Sequence, residues 1–306
     1  MTQIPHETGD FAATFQIESR PIRGRAVRMG ALSISPILDR HDYPHHLAQI
    51  LGEAVTLAAL VGASLKFEGK ILVQAEGDGP VTLLIGEYNT NGNVRGYARY
   101  NPEGWANLER VNKGGEPHMP QLFGRTGRLG LILVQDNPDI QPYQGIVPLN
   151  KATLAQCAED YFDMSEQVPS SIRIAVDRAA TGEWTAGGML VQRIAADDAR
   201  GETDEGWREA EVLFSTLTPA ELIDPALPMT ELLYRLFHEQ GVTLESGMAV
   251  LDQCTCSEER LVNTLSQMPD ESLRELVEED GNLSIDCQFC ARHYNVDISR
   301  VTGPVN

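Results

Sequence analysis

Residues 254–290 read CTCSEERLVNTLSQMPDESLRELVEEDGNLSIDCQFC, with a close pair of cysteines at each end. One residue separates Cys254 from Cys256, two residues separate Cys287 from Cys290, and thirty residues lie between the pairs. The chain has five cysteines in total, so four of them are concentrated here. Zinc takes four sulfur ligands in a tetrahedron, and a close pair can bind one ion from a single turn. The spacing therefore predicts that these four residues bind one zinc ion per chain in the reduced form.

Two hypotheses for such a zinc follow from the residues. Most sites with four cysteine ligands are permanent structural sites in small domains. The C-x-C pair argues against a permanent structural zinc. A disulfide between Cys254 and Cys256 would close a very small ring, and such a disulfide is readily reduced again. Zinc-bound thiolates are also the form that oxidants attack, and a domain folded by zinc unfolds when its ligands are oxidised. A structural zinc and a reversible redox switch both remain open at this point.

A catalytic zinc is disfavoured, since four thiolates close the tetrahedron and leave no position for water or substrate. His293 follows Cys290 by three residues and is interpreted as an ordinary surface histidine. Cys157 lies far from the other cysteines in sequence and is given no role, because a lone buried thiol is usually inert packing.

The sequence between the cysteine pairs has the signals of a small scaffold. Ser257 is a good N-cap, followed by two glutamates in the first turn of a predicted helix. Asp270 is predicted to cap a second helix that Gly281 ends. Residues 283–285 then return the chain to the second cysteine pair.

The first 194 residues alternate between strand and helix patterns, which predicts an α+β domain. Its predicted helices are residues 45–67, stopped by Gly69, and residues 153–164. Residues 101–128, rich in Gly, Pro and Asn, are predicted to be mostly loop. Strands are predicted at residues 12–34, 71–74, 81–85, 94–100, 129–134, 145–149, 172–176 and 189–194.

The character of the chain changes at residue 195. Residues 195–211 carry seven acidic residues against Arg200 and Arg208, which is typical of a linker. Two amphipathic helices are predicted after it, the second with Thr230 as N-cap. Their apolar stripes supply the candidate client-binding residues Leu213, Phe214, Leu217, Leu233 and Phe237. In the reduced state we expect these stripes to dock on the first domain.

These patterns predict an α+β protein in three parts. An N-terminal mixed sheet-and-helix domain takes residues 1–194, an acidic helical linker residues 195–250, and a small C-terminal zinc-binding domain residues 251–306.

Composition narrows the range of partners. The 306 residues carry a formal net charge of -20, which repels phosphate backbones and argues against nucleic acid and anionic membranes as partners. The N-terminus lacks the basic and apolar regions of a signal peptide, and the apolar stretch at residues 54–65 is too short to span a bilayer. A soluble, cytoplasmic protein is therefore expected, where thiols stay reduced.

The motifs resemble those of a known family, the redox-regulated chaperones called heat-shock protein 33, over nearly the whole chain. The cysteine spacing and the sequence CTCSEER at 254–260 are similar to its zinc motif. Three stretches of the first domain also resemble it, namely LKFEG at 65–69 with GDGP at 77–80, DYFDMSEQVP at 160–169 and GGMLVQ at 187–192. Asp252 and Val296 depart from the pattern, since the family often has an aromatic residue at each position.

The resemblance implies a mechanism. The reduced, zinc-bound form is inactive, and hypochlorous acid, or peroxide with mild unfolding, converts the cysteines to disulfides, here Cys254–Cys256 and Cys287–Cys290. The zinc domain and the linker then unfold, and the exposed apolar surface holds unfolded client proteins without ATP hydrolysis. The active form in this family commonly dimerises.

The main alternative is a constitutive protein-binding module with a purely structural zinc. An enzyme is not predicted, because the sequence offers no polar cluster at an open metal site and no P-loop for ATP. A zinc ribbon that binds nucleic acid is disfavoured as well, because residues 257–280 carry eight acidic residues against two arginines.

Overall fold

The computed structural model describes residues 9–194, 203–245, 247–269, 272–273, 276–278 and 281–302. The chain divides into two compact units, Met1–Asp252 and Gln253–Asn306. Helices from the predicted linker belong to the first unit, while the predicted boundaries at residues 194 and 250 stay a prediction. Asp270 and the acidic residues Asp197, Asp198 and Glu202 lie outside the described residues.

The first sheet of the larger unit is antiparallel in its main path. Its strands are β1 (Phe11–Ile17), β2 (Ile22–Met29), β8 (Ser170–Arg178), β9 (Trp184–Arg193) and β10 (Val242–Leu244). They lie in the order β10-β1-β2-β9-β8, and the two-residue strand β11 (Met248–Ala249) also pairs with β1. The sheet thus joins the beginning of the chain to strands more than 150 residues away in sequence.

The second sheet is formed mostly by one continuous region. Its strands are β3 (Gly69–Glu76), β4 (Val81–Asn89), β5 (Asn93–Tyr100), β6 (Arg128–Gln135), β7 (Tyr143–Pro148) and β12 (Leu251–Asp252). Their order is β12-β5-β4-β3-β6-β7, and β12 is parallel to β5 while the other neighbours are antiparallel.

Helix α2 (His45–Gly62) lies between the two sheets and packs against strands of both. Fourteen of its eighteen residues are buried, as expected for a helix that is apolar all round. The approach to the second sheet is very close at Gly86 of β4, where an added Cβ would lie 2.4 Å from the backbone of Ala54. Glycine at this strand position is therefore what lets the helix and the sheet pack directly.

The opposite face of the first sheet is covered by helices from the predicted linker. These are α6 (Thr203–Ser215), α7 (Pro219–Ile223) and α8 (Met229–Phe237). Along β1, Phe11, Phe15 and Ile17 point to this side and form one apolar cluster with the helices. At Gly187 of β9, an added Cβ would lie 2.1 Å from the carbonyl oxygen of Leu222 in α7. The first sheet is therefore buried on both faces, by α2 on one side and by α6–α8 on the other.

The segment after α8 runs along the edges of both sheets. It forms β10 and β11 on the first sheet and β12 on the second. Asp252 forms an ion pair with Arg40, and both side chains are largely buried. Its backbone N–H also donates to the carbonyl of Leu32. Asp252 is thus bound within the first unit rather than packed around the cysteines.

Several predicted elements are confirmed, and some are wrong. The α+β class is confirmed, and the predicted strands from residue 71 onward correspond to β3–β9, although β7 and β9 each end one residue before the predicted end, at Pro148 and Arg193. The loop predicted at 101–128 instead contains α3 (Pro102–Asn112) and α4 (Met119–Phe123). The Asn101 side chain accepts a hydrogen bond from Gly104, and proline is tolerated in the first turn of a helix, so the turn-like composition marks a helix start.

Three boundaries also differ from the prediction. Ile34 begins the short helix α1 (Ile34–Asp39) rather than ending a strand. Helix α2 ends at Gly62, and Gly69 starts β3 because the chain must extend there to pair with β6. Helix α8 begins at Met229 after Pro228, so Thr230 is not its N-cap, since proline in the cap region already sets the required φ. The predicted helix at 153–164 is α5 (Leu154–Tyr161), followed by a single π-helical turn at Phe162–Glu166.

Replacing Gly187 tests whether close packing keeps α7 on the sheet. We expect Gly187→Ala to push the Leu222 carbonyl away, lowering the free energy of unfolding by about 1–3 kcal/mol. The loosened helices should then be cut faster by trypsin at the exposed Arg208 and Arg235. Gly130→Ala on the second sheet is the matched control, since its added Cβ meets nothing closer than 3.5 Å. Equal cleavage rates for the two variants would contradict the packing argument.

Candidate metal centre

The four cysteines lie at the ends of short, well-defined elements of the smaller unit. Cys254 and Cys256 immediately precede α9 (Glu258–Leu265), whose N-cap is Ser257, as predicted: its hydroxyl accepts a hydrogen bond from the N–H of Arg260. Cys287 and Cys290 lie in the connection between β13 (Asn282–Asp286) and β14 (His293–Asp297), an antiparallel hairpin. A helix N-terminus and a hairpin loop thus bring two sequence segments together.

The connection in the hairpin is a tight turn with a defined backbone. The N–H of Ala291 donates to the carbonyl of Cys287, and the N–H of Cys287 donates to the carbonyl of Arg292. Ala291 adopts a positive φ of 54°, a conformation that disfavours residues with a Cβ. This turn fixes both sulfur atoms on one side of the hairpin end.

The four Sγ atoms lie within 4.8 Å of one another and could hold a metal ion. Cys254 Sγ is 3.8 Å from Cys287 Sγ, and Cys256 Sγ is 3.3 Å from Cys290 Sγ. Four sulfurs bound at about 2.3 Å in a tetrahedron would be about 3.8 Å apart. The donor set and its spacing therefore fit a tetrahedral metal–thiolate centre.

The hydroxyl of Tyr294 adds a hydrogen-bond donor to this centre. It donates to Cys256 Sγ at 3.1 Å, while the ring packs against the small core of the unit. The side chain of Arg292 in turn hydrogen-bonds to Tyr294. Tyr294 is the second residue of β14, and sequence reasoning missed it because nothing local to it points to the cysteines.

The pKa values of Cys256 and Cys290 are shifted in opposite directions. Burial alone would raise the pKa of Cys256, but donation from Tyr294 and from neighbouring thiols lowers this pKa to about 7. Burial raises the pKa of Cys290 to about 12, and hydrogen bonds that its S–H donates to Cys256 and Cys287 also favour the protonated form. Negative charge is thus favoured on Cys256, the sulfur that faces the Tyr294 hydroxyl.

The apolar core of the smaller unit contains few side chains. Its buried members among the described residues are Leu265, Leu273, Leu283, Val296 and Val301. Val296 is completely buried. A core this small rarely supplies more than about 3–5 kcal/mol of stability, and small domains are usually supported by metals or disulfides. The metal centre is thus well placed to contribute folding free energy.

The other residues considered in the sequence analysis lie outside the metal centre. His293 is exposed and forms an ion pair with Asp286 at 2.9 Å, which agrees with its interpretation as a surface histidine. Cys157 is buried in α5 of the larger unit, and burial raises its pKa. The candidate client-binding residues Phe214, Leu217, Leu233 and Phe237 lie on or next to α6 and α8 and are buried in the cluster that these helices form with the first sheet, where Leu213 is partly buried. Their docking on the first sheet matches the expectation for the apolar stripes.

In the part of the chain that the structure describes, no helix has the length and apolar character needed to cross a membrane.

Fold and site together define an α+β protein whose small second unit brings four thiols into metal-binding geometry. The model of the family described as Hsp33 protein matches residues 10–297. The chain therefore belongs to the Hsp33 family.

Curated relatives extend over nearly the whole chain. The "33 kDa chaperonin" of Caulobacter vibrioides is 45% identical over 304 residues, covering 97% of this chain and 99% of the relative. The "33 kDa chaperonin" of Cronobacter sakazakii is 36% identical over 289 residues, covering 94% of this chain and 92% of the relative. Proteins of this family are thus named as chaperones.

A solved structure shows the same fold. The crystal structure of the 33 kDa chaperonin from Thermotoga maritima, described as a heat shock protein 33 homolog, aligns with a TM-score of 0.76. The alignment covers 95% of this chain and 96% of that one at 22% sequence identity. The architecture is therefore shared although most residues differ.

Removing the Tyr294 hydroxyl tests its role beside the thiols. We expect Tyr294→Phe to keep the ring packing and to weaken zinc binding by the reduced protein about tenfold, a loss typical for partners of metal ligands. Competition with a chelator of known affinity measures this change. The control is Tyr234→Phe, the same chemical change on an exposed residue of α8. Equal zinc affinities for both variants would show that the hydrogen bond does not support the centre.

Proposed function

We propose that this protein is a redox-regulated holdase chaperone that works without ATP. Its reduced form is inactive, with one zinc ion on Cys254, Cys256, Cys287 and Cys290, and oxidation of these thiols activates it. The observation that supports this proposal best is the convergence of four Sγ atoms within 4.8 Å in a unit with a very small core. Membership of a family whose relatives are named chaperonins supports the chaperone part.

Zinc is the metal that fits the donor set. Four cysteine sulfurs at tetrahedral spacing are typical of zinc, which has no redox chemistry of its own. When bound, the ion holds the sulfurs as thiolates and cross-links the start of α9 to the β13–β14 hairpin. The protein's own residues support this state, since Tyr294 donates to Cys256 and Ala291 closes the hairpin turn.

Oxidation would convert the thiols to disulfides. Hydrogen peroxide takes two electrons from a pair of thiolates, which gives one disulfide, and its two oxygen atoms leave as hydroxide ions that solvent protons convert to water. We propose the pairs Cys254–Cys256 and Cys287–Cys290. Each disulfide removes two thiolate donors, so two disulfides remove all four. The shortest Sγ distances join Cys254 to Cys287 and Cys256 to Cys290, so pairing within each motif requires local rearrangement of the reduced site.

Loss of the metal would destabilise the small unit, and we propose that α6–α8 then leave the first sheet. These helices cover a continuous apolar surface that includes Phe15, Ile17 and Met189. Release would expose this surface and the apolar stripes of the helices at the same time. Unfolded or partly folded proteins are the partners that exposed apolar surface fits best.

Further parts of the proposal concern assembly and location. We propose a homodimer for the oxidised form and a cytoplasmic location, where thiols are reduced until oxidants appear. Nucleic acid and membranes are not proposed as partners, because the net charge of -20 repels anionic surfaces. The alternative function is a constitutive protein-binding module in which zinc is purely structural.

Peroxide treatment distinguishes these functions. When reduced, zinc-loaded protein is treated with peroxide at mildly raised temperature, zinc release and suppression of aggregation of a denatured model protein should rise together. A thiol reductant should reverse both. A chromogenic chelator reports zinc, and light scattering reports aggregation in the same samples. Zinc release without a gain in suppression, or full suppression already in the reduced state, would favour the structural zinc.

A cysteine variant supplies the control for this experiment. Cys157→Ala should respond to peroxide like the unmodified protein, because Cys157 is buried and burial raises the pKa of its thiol, which disfavours the reactive thiolate. A lost or weakened response in this variant would show that a thiol outside the metal centre takes part in the switch.

A further inference from the structure

The strands of the first sheet are rich in arginine, although the protein as a whole is acidic. Among the charged residues of its four long strands, β1, β2, β8 and β9, six are arginines and one is an aspartate: Arg23, Arg25, Arg28, Arg173, Arg178, Arg193 and Asp177. The whole chain, in contrast, carries 44 acidic residues against 24 lysines and arginines. The helices that cover this sheet have the opposite charge, with seven acidic residues against two arginines in 203–237.

Arginines around the covered face contact the acidic helices directly. Arg20, in the β1–β2 turn, donates to a carboxylate oxygen of Glu209 in α6 at 2.7 Å. Arg193, at the end of β9, donates to Asp204 at the start of α6 at 2.5 Å. Arg173 of β8 lies over the ring of Phe214, with 5.6 Å between its guanidinium carbon and the ring centroid. Charge and apolar contact therefore act together at the rim of the cluster.

Arg28 of β2 binds the covering segment through its backbone. Its guanidinium donates to the carbonyl of Leu227 at 2.6 Å and to the carbonyl of Leu222 at 3.2 Å. These oxygens lie at and beyond the C-terminal end of α7, where a helix presents unsatisfied carbonyls and partial negative charge. Residues of the first sheet thus contact three kinds of group on the covering segment. These are the apolar side chains, the carboxylates and the carbonyls at a helix end.

We propose that the uncovered outer face of the first sheet selects client segments that carry an apolar stripe flanked by carboxylates. This inference rests on the proposed function, because it requires that α6–α8 leave the face on activation. In the covered state, α6–α8 present apolar side chains and carboxylates to this face, and a client would present the same groups. Release leaves an apolar centre of Phe11, Phe15 and Ile17, with Arg20, Arg28, Arg173 and Arg193 at or near its rim.

The net charge of the whole chain predicts the opposite preference, so the two effects can be told apart by experiment. An acidic peptide is repelled by a protein of charge -20 at long range, so tighter binding of acidic peptides requires a local basic site. Basic segments, which the net charge attracts, would place like charges against the arginine rim. Such juxtaposition is destabilising, and the local contacts and the overall charge therefore predict opposite preferences.

The test uses three synthetic amphipathic peptides that share one Leu and Phe stripe and differ only in flanking Glu, Gln or Lys. Their binding to the peroxide-activated full-length protein is measured by fluorescence anisotropy at low and high salt. We expect the Glu peptide to bind about three- to tenfold more tightly than the Gln peptide at low salt, and the Lys peptide to bind most weakly. The reduced protein should bind none of them.

Protein variants assign the preference to the rim. In Arg20→Gln/Arg193→Gln the difference between Glu and Gln peptides should fall to less than twofold. The control is Arg99→Gln/Arg128→Gln, which removes the same charge from the second sheet and should keep the preference. Aggregation suppression is measured alongside, so that activation itself is verified for every variant.

Several outcomes would overturn the inference. Equal affinities for the three peptides, or a Glu preference that survives in Arg20→Gln/Arg193→Gln, would exclude selection by the rim. Equally tight binding of polyglutamate, which lacks an apolar stripe, would show a general anion site instead. If no peptide binds while aggregation is still suppressed, clients bind elsewhere and the proposed function stands without this inference. If suppression is absent after activation, the proposed function fails as well.

Discussion

The fold depends on one constraint, which is that the first sheet is apolar on both faces. Successive residues of β1 contribute to two different clusters, Ala12 to the core around α2 and Phe11 to the cluster under α6–α8. A sheet of this kind must be covered on both sides. Helix α2 meets the requirement on one side and is itself enclosed by the second sheet. In the described part of the chain, the other side is covered by the short helices α6–α8.

The two units obtain their stability in different ways. The larger unit has an extensive apolar core on both sides of α2. The smaller unit has five buried side chains among its described residues, and four thiols in metal-binding geometry beside them. Stability that comes from thiolate–metal bonds disappears when the thiols are oxidised, whereas stability from a large apolar core does not depend on redox state. Stability that depends on a bound metal is therefore expected in the second unit, where the four thiols lie.

The acidic covering helices contact arginines of the first unit. The acidic character of residues 195–211 predicted a linker, yet Arg20 and Arg193 contact Glu209 and Asp204 of this stretch. Arg28 contacts carbonyl oxygens further along the covering segment. Exposed ion pairs of this kind contribute little each, and charged groups regain hydration on release. Such contacts orient the helices on the sheet without binding them irreversibly. The same arginines make the uncovered face suitable for segments that resemble the helices themselves.

The sequence by itself determined the α+β class, the main strands of both sheets, the apolar stripes and the four candidate ligands. These features follow from local periodicity and from the spacing of cysteines, which a single chain displays directly. Helix α3 was predictable in principle from Asn101 and Pro102, but its composition resembles that of a loop. Only the tertiary structure decided that Tyr294 meets Cys256, that Asp252 pairs with Arg40, and that arginines surround the covered face. These contacts join residues that are 38, 212 and 189 positions apart, and sheet order and register, which no local pattern encodes, bring them together.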